Sequence, residues 1–323
     1  MLTRRHLLKT SAAMLAASGG AARAQADWPN RPVKVIVVYP PAGGADTTAR
    51  ILFQKLSEMW GKSFVIDNRG GAGGTIGEAV AAKSDPDGYT LLYDATAFSV
   101  NPALYPKLSF DYGKDFEPVF LASLVPNILV VTPSVEAKTV ADIIALAKKT
   151  PGGLDFASSG NGTLQHLCLE LLKFMTKVPI NHIPYRGGGL ALNDVVAGQV
   201  KYFFSNGSSS VGLVHGDKVK AIAHTGKGRL GTLPDLPAVQ DTIPGFEAYE
   251  WNGVFVPAGT SPEIVKKLSA GLNEVLRQPD IVARFKSLNI DFKENTPDEF
   301  RAFVAAETEK WGQVVREAGI KLG

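Results

Sequence analysis

Short runs of β-branched and aromatic residues alternate along this chain with segments of helical periodicity. The apolar runs predict strands at 33–39, 64–67, 90–94, 127–132, 154–157, 180–185, 200–204, 219–224 and 253–256. The helical pattern predicts helices at 47–59, 139–149, 163–176, 262–277 and 297–317. Strands that alternate with helices are typical of open, mostly parallel α/β sheets.

Capping side chains mark where several of these helices begin. Asp46 follows two glycines and is predicted to cap a helix that starts at Thr47. Thr296 and Glu299 fit a capping box, and Ser261 precedes a proline at the first helical position. The apolar positions of the two C-terminal helices fall on one face, so we interpret these helices as packing elements rather than as part of a site.

Residues 1–24 have the pattern of a signal peptide. They combine basic residues at Arg4, Arg5 and Lys9 with a short apolar run and a small-residue exit at 22–24. The basic stretch also resembles a twin-arginine export signal. The apolar core is far shorter than the roughly 20 residues that span a bilayer. We therefore expect a periplasmic protein without a membrane anchor.

Removal of this segment changes the charge of the protein. The whole chain has a formal net charge of +3, but the predicted signal holds four basic residues and no acidic one. The remainder has 30 basic and 31 acidic residues, with no basic run or stripe. Nucleic acid is therefore not an expected partner.

Chain length and cysteine usage predict two lobes without disulfides. The single cysteine, Cys168, lies in an apolar run, and we expect a buried, unreactive thiol. A chain of this size favours two lobes over one. Crossovers are predicted near 123–127 and 238–254. This assigns residues 25–124 and 241–323 to lobe 1, and residues 125–240 to lobe 2.

Glycine-rich and hydroxyl-rich loops follow four of the predicted strands, at 40–46, 95–99, 158–163 and 205–208. Ligands of open α/β sheets bind beyond the carboxyl ends of the strands. A helix start presents unpaired N–H groups and partial positive charge, so two such starts, one from each lobe, would hold a small anion. The alternative is that strand-to-helix turns simply require glycine and a cap.

Catalytic, metal and cofactor motifs are not recognisable in the sequence. The loop at 68–77 lacks the Walker pattern and is interpreted as structural. The histidines lack the close spacing of metal ligands, and no Gly-x-Ser-x-Gly elbow is present. A periplasmic hydrolase that uses Ser158 or Asp46 on a small acid stays open as an alternative, with His166 as a candidate base. A structural envelope protein is a third hypothesis.

Ten short motifs together resemble the Bug/TctC family, the periplasmic substrate-binding proteins of tripartite tricarboxylate transporters. In order along the chain they are Trp28-Pro29, Pro40-Pro41-Ala42-Gly43-Gly44-x-Asp46, Ala49-Arg50, Asn68-Arg69, Gly71-Ala72-Gly73-Gly74, Asp85-Pro86-Asp87-Gly88-Tyr89-Thr90, Asn101-Pro102, Ala157-Ser158-Ser159-Gly160, Pro184-Tyr185-Arg186-Gly187 and Trp251-x-Gly253. The resemblance runs from residue 28 to the C-terminus.

The resemblance implies a type II solute-binding fold, with two α/β lobes, mostly parallel sheets flanked by helices and two interdomain crossovers. It implies that ligand carboxylates are held by backbone N–H groups and ordered waters from the loops at 40–46, 95–99 and 158–163. The expected ligand is a small organic anion, such as a di- or tricarboxylate or an aromatic acid. The expected partners are the membrane subunits of a transporter or, alternatively, a sensor. We expect a monomer.

Two departures from the family pattern bear on the ligand. Many relatives carry an acidic residue at the end of the strand at 200–205, where this chain has Ser205 and Asn206. This argues against a ligand with an ammonium group. Tyr39 stands where phenylalanine is commoner, which adds a hydroxyl beside the first loop.

We therefore predict a binding site with no catalytic residue, no metal and no cofactor. Gly43 and Gly44 are expected to hold one carboxylate with the amides after them, and Ser158, Gly160, Asn161 and Thr163 a second one. Residues expected to shape selectivity are Thr96, Ser99, Tyr185, Ser205 and Asn206, with Arg186 as an electrostatic contributor. The predicted site also includes Tyr39, Asp46, Ala97 and Ser159.

Overall fold

A computed structural model describes residues 28–41, 43–288 and 290–321, so the predicted signal peptide lies outside the described residues. The strands in these ranges are β1 (Val33–Val37), β2 (Phe64–Asn68), β3 (Thr90–Ala95), β4 (Phe116–Val131), β5 (Leu154–Ser158), β6 (Ile180–Pro184), β7 (Tyr202–Asn206), β8 (Lys220–His224) and β9 (Tyr249–Pro257). The helices are α1 (Gly44–Trp60), α2 (Thr75–Ala82), α3 (Ala97–Leu104), α4 (Val140–Lys149), α5 (Leu164–Thr176), α6 (Gly188–Ala197), α7 (Gly207–His215), α8 (Pro262–Leu276), α9 (Pro279–Ser287) and α10 (Pro297–Ala318).

The strands form two groups that are joined through β4. In lobe 1 the order is β2-β1-β3-β9-β4, and in lobe 2 it is β8-β4-β7-β5-β6. The first part of β4 pairs with β9 from Phe116 to Pro126, and its last part pairs with β7 and β8 from Asn127 to Val131. Strand pairs that involve neither β4 nor β9 are parallel. The two-lobed α/β fold predicted from the sequence is confirmed, while the residue bounds of the lobes stay a prediction.

The C-terminal helices pack as their sequence pattern predicts. The apolar face of α8 is buried through Ile264, Leu268, Leu272 and Val275, and each such side chain contributes about 1.5–3 kcal/mol by leaving water. The capping box between Thr296 and Glu299 is present at the start of α10, as is the Ser261 cap at the start of α8. Cys168 is a buried free thiol, and burial raises its pKa to about 12, which confirms the expectation of an unreactive cysteine.

The sequence pattern underestimated one strand and missed several helices. β4 is 16 residues long, and Pro118 and Pro126 within it hid its continuity. The helices that the pattern did not reveal are α2, α3, α6, α7 and α9. They are short, from 8 to 10 residues, and α3 contains Pro102. Within the described ranges, no helix combines the length and the apolar character needed to cross a bilayer.

Candidate functional site

A cavity of about 400 Å³ lies between the lobes, at the carboxyl ends of β1, β3, β5 and β7. Half of the sixteen residues predicted for the site line it, and these come from both lobes. They are Tyr39, Gly44, Thr96, Ala97, Ser159, Asn161, Thr163 and Asn206. The loops that the sequence singled out therefore meet around one space.

Five of the described helices begin at this cavity. The lining includes the first residue of α1 (Gly44), α3 (Ala97), α5 (Leu164) and α6 (Gly188), together with Ser208 in the first turn of α7. Each helix N-terminus carries about half a positive charge. No side chain caps α1, α3 or α6. The first N–H groups of these three helices, which come from both lobes, therefore remain available to an anion.

Asp46 has a different role from the predicted one. Helix α1 begins at Gly44, three residues before the expected start, and Gly43 occupies the capping position. The Asp46 carboxylate is buried and accepts hydrogen bonds from Arg50 Nε at 2.9 Å and Asn68 Nδ2 at 2.8 Å. The prediction that Asp46 caps the helix is wrong, because Asp46 lies inside the first turn, after the capping position at Gly43. Asp46 and Gly43 lie outside the cavity lining.

The loop after β3 contributes backbone groups, rather than free hydroxyl groups, to the cavity lining. Thr96 Oγ1 donates to Tyr249 O at 3.2 Å and accepts from Trp251 N at 3.1 Å, so it joins this loop to β9. Ser99 is fully buried behind the lining, and its hydroxyl has no hydrogen-bond partner among the described residues.

The Ser158 hydroxyl is enclosed by the protein and does not reach the cavity. It accepts from Gly160 N at 3.1 Å and lies 2.5 Å from His182 Nε2. The His182 ring stacks on His166, with 3.8 Å between the ring centroids. Burial and the charge of Lys173 lower the pKa of His182 to about 4. Burial, the neighbouring His182 and Lys173 lower the pKa of His166 to about 3. Ser158 is fully buried, and the structure pairs it with His182, not with the candidate base His166.

Gly160 and Thr163 shape the turn that leads into α5. Thr163 caps the helix, and its hydroxyl donates to Gly160 O at 2.8 Å. Gly160 has φ near +128°, which favours glycine, and it lies outside the lining. The turn orients the neighbouring lining residues Asn161 and Gly162.

Three further predicted residues also lie away from the lining. Tyr185 donates from its hydroxyl to Asp194 at 2.8 Å, and Arg186 is exposed. Ser205 is buried and donates to Asn206 O at 3.4 Å. The structure therefore does not bring these side chains together with the predicted carboxylate loops.

Sequence reasoning missed several lining residues. Ten of them lie outside the loops that the sequence singled out, namely Gly73, Asn101, Leu104, Tyr105, Leu164, Gln165, Gly188, Gly189, Ser209 and Glu250. Three more, Ala95, Gly162 and Ser208, lie within those loops but were not named as site residues. Gly73 belongs to the glycine-rich loop interpreted as structural, and Gly188 and Gly189 follow the Pro184–Gly187 motif. Glycine at a helix start was a usable signal for the latter two. Glu250 had no local signal, because it lies within a strand, immediately before Trp251.

A buried pair of carboxyl groups, Glu78 and Asp94, lies directly behind the lining. Tyr39 Oη donates to Asp94 at 3.3 Å, while Tyr112 and the lining residue Asn101 donate to Glu78 at 2.5 and 3.3 Å. Burial and the charge of Asp94 raise the pKa of Glu78, and burial raises the pKa of Asp94. At least one of the two groups is therefore protonated near neutral pH.

Comparisons with known proteins agree over nearly the whole chain. The TctC family, described as the tripartite tricarboxylate transporter family receptor, matches residues 48–320. The curated protein BugT of Bordetella pertussis is 35% identical over 320 residues, which cover 98% of each chain. The solved structure of R. palustris Rpa4515 with adipate has a TM-score of 0.81 at 34% identity, covering 92% of this chain and 100% of its own. MatC (Rpa3494) from Rhodopseudomonas palustris with bound malate has a TM-score of 0.76 at 31% identity, covering 89% of this chain and 100% of its own.

Proposed function

This chain belongs to the tripartite tricarboxylate transporter receptor family, and on that premise we propose that it is an extracytoplasmic solute-binding protein that captures a small organic carboxylate between its two lobes. The observation that carries the proposal is the convergence of five helix N-termini, from both lobes, on one cavity of about 400 Å³. A carboxylate placed there replaces its lost hydration with backbone N–H groups and is stabilised by the helix dipoles.

The size of the cavity and the ligands of relatives support a small acid. Binding cavities for small molecules range from about 300 to 1,000 Å³, so this one is near the lower end. Two relatives with known structures hold adipate and malate, which are both dicarboxylates. Because each lobe supplies part of the lining, ligand binding is expected to favour a closed arrangement of the lobes.

We also propose a periplasmic location and delivery of the ligand to the membrane subunits of a tripartite transporter. Family membership and the signal-peptide pattern of residues 1–24 support this proposal. Presentation of the ligand to a sensor is the alternative destination. We also propose that the protein acts as a monomer.

Binding without turnover is part of the proposal. The observation that favours a hydrolase is the 2.5 Å contact between Ser158 Oγ and His182 Nε2. However, Ser158 is fully buried and lies outside the cavity lining, so its hydroxyl cannot approach a ligand in the described arrangement. A nucleophile must reach the substrate as well as its base.

A thermal-shift screen of mono-, di- and tricarboxylates tests the proposed function. A ligand that binds only the folded state raises the melting temperature. At a free ligand concentration of about one hundred times Kd, binding adds about 2.7 kcal/mol to the free energy of unfolding. We expect at least one acid to do so and to be recovered chemically unchanged after prolonged incubation. No response to any of these acids, amino acids included, would refute carboxylate capture, and conversion of the acid would support the hydrolase instead.

A further inference from the structure

The cavity contains one formal charge, and it is negative. Among the described residues that line the cavity, Glu250 alone carries an ionisable acidic or basic side chain of the Asp, Glu, Lys, Arg or His type. A site for an anion would be expected to hold a cation or no charge. The presence of a carboxylate beside five helix N-termini therefore needs a physical reason.

Hydrogen bonds to neutral amides hold Glu250 in place without neutralising it. Its Oε2 accepts from Asn206 Nδ2 at 2.9 Å and from Gln165 Nε2 at 3.4 Å. Within the part of the chain that the structure describes, Glu250 forms no ion pair. The charge on this side chain is thus left for a ligand or solvent to balance.

Glu250 also faces a second, smaller cavity. This space, of about 250 Å³, shares Gly44, Asn206, Ser208, Ser209 and Glu250 with the main cavity. No basic side chain lines the second cavity within the described residues. Glu250 therefore stands where the two spaces adjoin, so a ligand in either space lies beside it.

We propose that the ligand carries a positively charged nitrogen in addition to its carboxylate, and that Glu250 is the residue that selects for it. The inference rests on the proposed function, since helix N-termini take the carboxylate while Glu250 takes the cation. A second carboxylate at the same place would meet a like charge in a partly dehydrated site, where repulsion is strong. The ligand class is thus an amino acid or another zwitterionic acid.

This inference revises the expectation drawn from the end of β7. The sequence has no acidic residue there, which argued against an ammonium group. The structure brings an acidic side chain to the same place from β9, where Asn206 at the end of β7 binds Glu250 directly. The missing charge is therefore supplied by a residue 44 positions later in the chain.

A purely structural role for Glu250, as a link between β9 and lobe 2, makes a different prediction. In that case Glu250→Gln would change stability, or the affinity for all acids equally, because a glutamine also accepts from Asn206. A selective role requires the two classes of ligand to respond in opposite directions.

Calorimetric titration with matched ligand pairs separates these cases. Each pair replaces one terminal carboxylate by an ammonium group: succinate and β-alanine, glutarate and γ-aminobutyrate, adipate and δ-aminovalerate, with aspartate and glutamate added. We expect at least one ammonium-bearing acid to bind the wild-type protein about tenfold or more tightly than the dicarboxylates. Glu250→Gln should weaken its binding about tenfold and strengthen that of the dicarboxylates. Glu136→Gln, which removes an exposed charge outside both cavities, should change neither.

The outcomes distinguish this inference from the proposed function. Tight binding of dicarboxylates alone, or an equal effect of Glu250→Gln on both classes, overturns the inference and leaves carboxylate capture intact. If no acid binds in either the thermal-shift screen or the calorimetric titrations, both the inference and the proposed function are overturned. The wild-type comparison is decisive even if Glu250→Gln lowers the melting temperature.

Discussion

The imidazole rings of His166 and His182 lie face to face, with 3.8 Å between their centroids and an angle of 9° between their planes. One ring belongs to α5 and the other to β6, so the stack joins two neighbouring elements of lobe 2. Both side chains are neutral at pH 7, because burial is the largest cause that lowers the pKa of each. Protonation of either ring would place a charge against the other.

Acid should therefore destabilise the protein through this stack. A histidine with a lowered pKa in the folded state contributes stability above its ordinary pKa of about 6.5, and loses it as pH falls towards the folded value. For His182 this window runs from about 6.5 down to about 4. His182→Gln keeps a polar atom near Ser158 but cannot gain a proton. Between pH 6.5 and 4.5 we expect the free energy of unfolding of this variant to fall by about 1 kcal/mol less than that of the wild type, after allowance for the partial exposure of His182. Melting temperatures measured across this range check the prediction, and parallel curves would contradict it.

The buried carboxyl pair makes the opposite prediction for alkaline pH. Glu78 and Asp94 have raised pKa values, so their contribution to stability is present below the ordinary carboxyl pKa and is lost as pH rises. Glu78→Gln is permanently neutral, and its single amide oxygen can keep one of the two hydrogen bonds that Tyr112 and Asn101 donate to separate carboxylate oxygens. A carboxyl group with a raised pKa lowers the free energy of unfolding by up to about 1.4 kcal/mol per pH unit as pH rises. We therefore expect the variant to lose less stability than the wild type between pH 5 and 9. Glu274→Gln, on the exposed face of α8, is the control and should leave the slope unchanged.

Ser158 is expected to matter for the fold of its loop rather than for ligand contact. Ser158→Ala leaves Gly160 N–H and His182 Nε2 without their partner, which costs about 1–3 kcal/mol of stability. Affinity for the best acid of the thermal-shift screen should change less than about fivefold, roughly 1 kcal/mol, because Ser158 is absent from the lining. Chemical denaturation and calorimetry measure the two effects separately. Ser287→Ala, on the exposed end of α9, is the control, and its free energy of unfolding should be within about 0.5 kcal/mol of the wild-type value.

The parts of the site that depend on local chemistry could be predicted from the sequence. Glycine and hydroxyl residues after a strand indicate a loop at the edge of the sheet, and Gly44, Ala97 and Thr163 lie in loops that were found in this way, although the helix that begins at Ala97 was not predicted. Local pattern also identified the capping box at Thr296 and the buried face of α8. In each case the neighbours that decide the structure lie within a few residues of one another.

The parts that depend on long-range pairing could not be predicted. Glu250 lies opposite Val125 because β9 pairs with β4, and nothing near residue 250 indicates that register. The hydroxyl of Thr96 appeared free for a ligand, yet it is occupied by the backbone of β9, 153 residues away. Asp46 failed as a cap because α1 starts earlier, at a glycine that has no capping side chain.

Gly188, the first residue of α6, should be sensitive to the smallest side chain. A Cβ at this position would lie 2.9 Å from Ser159 Oγ, which is too close, so the Ser159 side chain has to move within the cavity lining. Gly188→Ala should leave the melting temperature unchanged or slightly raised, since alanine is favoured over glycine in a helix by up to about 1 kcal/mol. Affinity for the best acid should nevertheless fall by about three- to tenfold, because a moved hydroxyl and an added methyl group alter the end of α6 that is proposed to bind the anion.

Gly212→Ala in α7 is the matched control for that change. A Cβ at Gly212 meets no atom within 4 Å, and the residue lies outside both cavities. The same glycine-to-alanine gain in stability is expected there without any effect on binding. If Gly188→Ala binds the acid as tightly as Gly212→Ala does, the start of α6 takes no part in holding the ligand. The contribution of lobe 2 to anion binding would then have to come from α5 and α7, whose first turns are capped by Thr163 and Asn206.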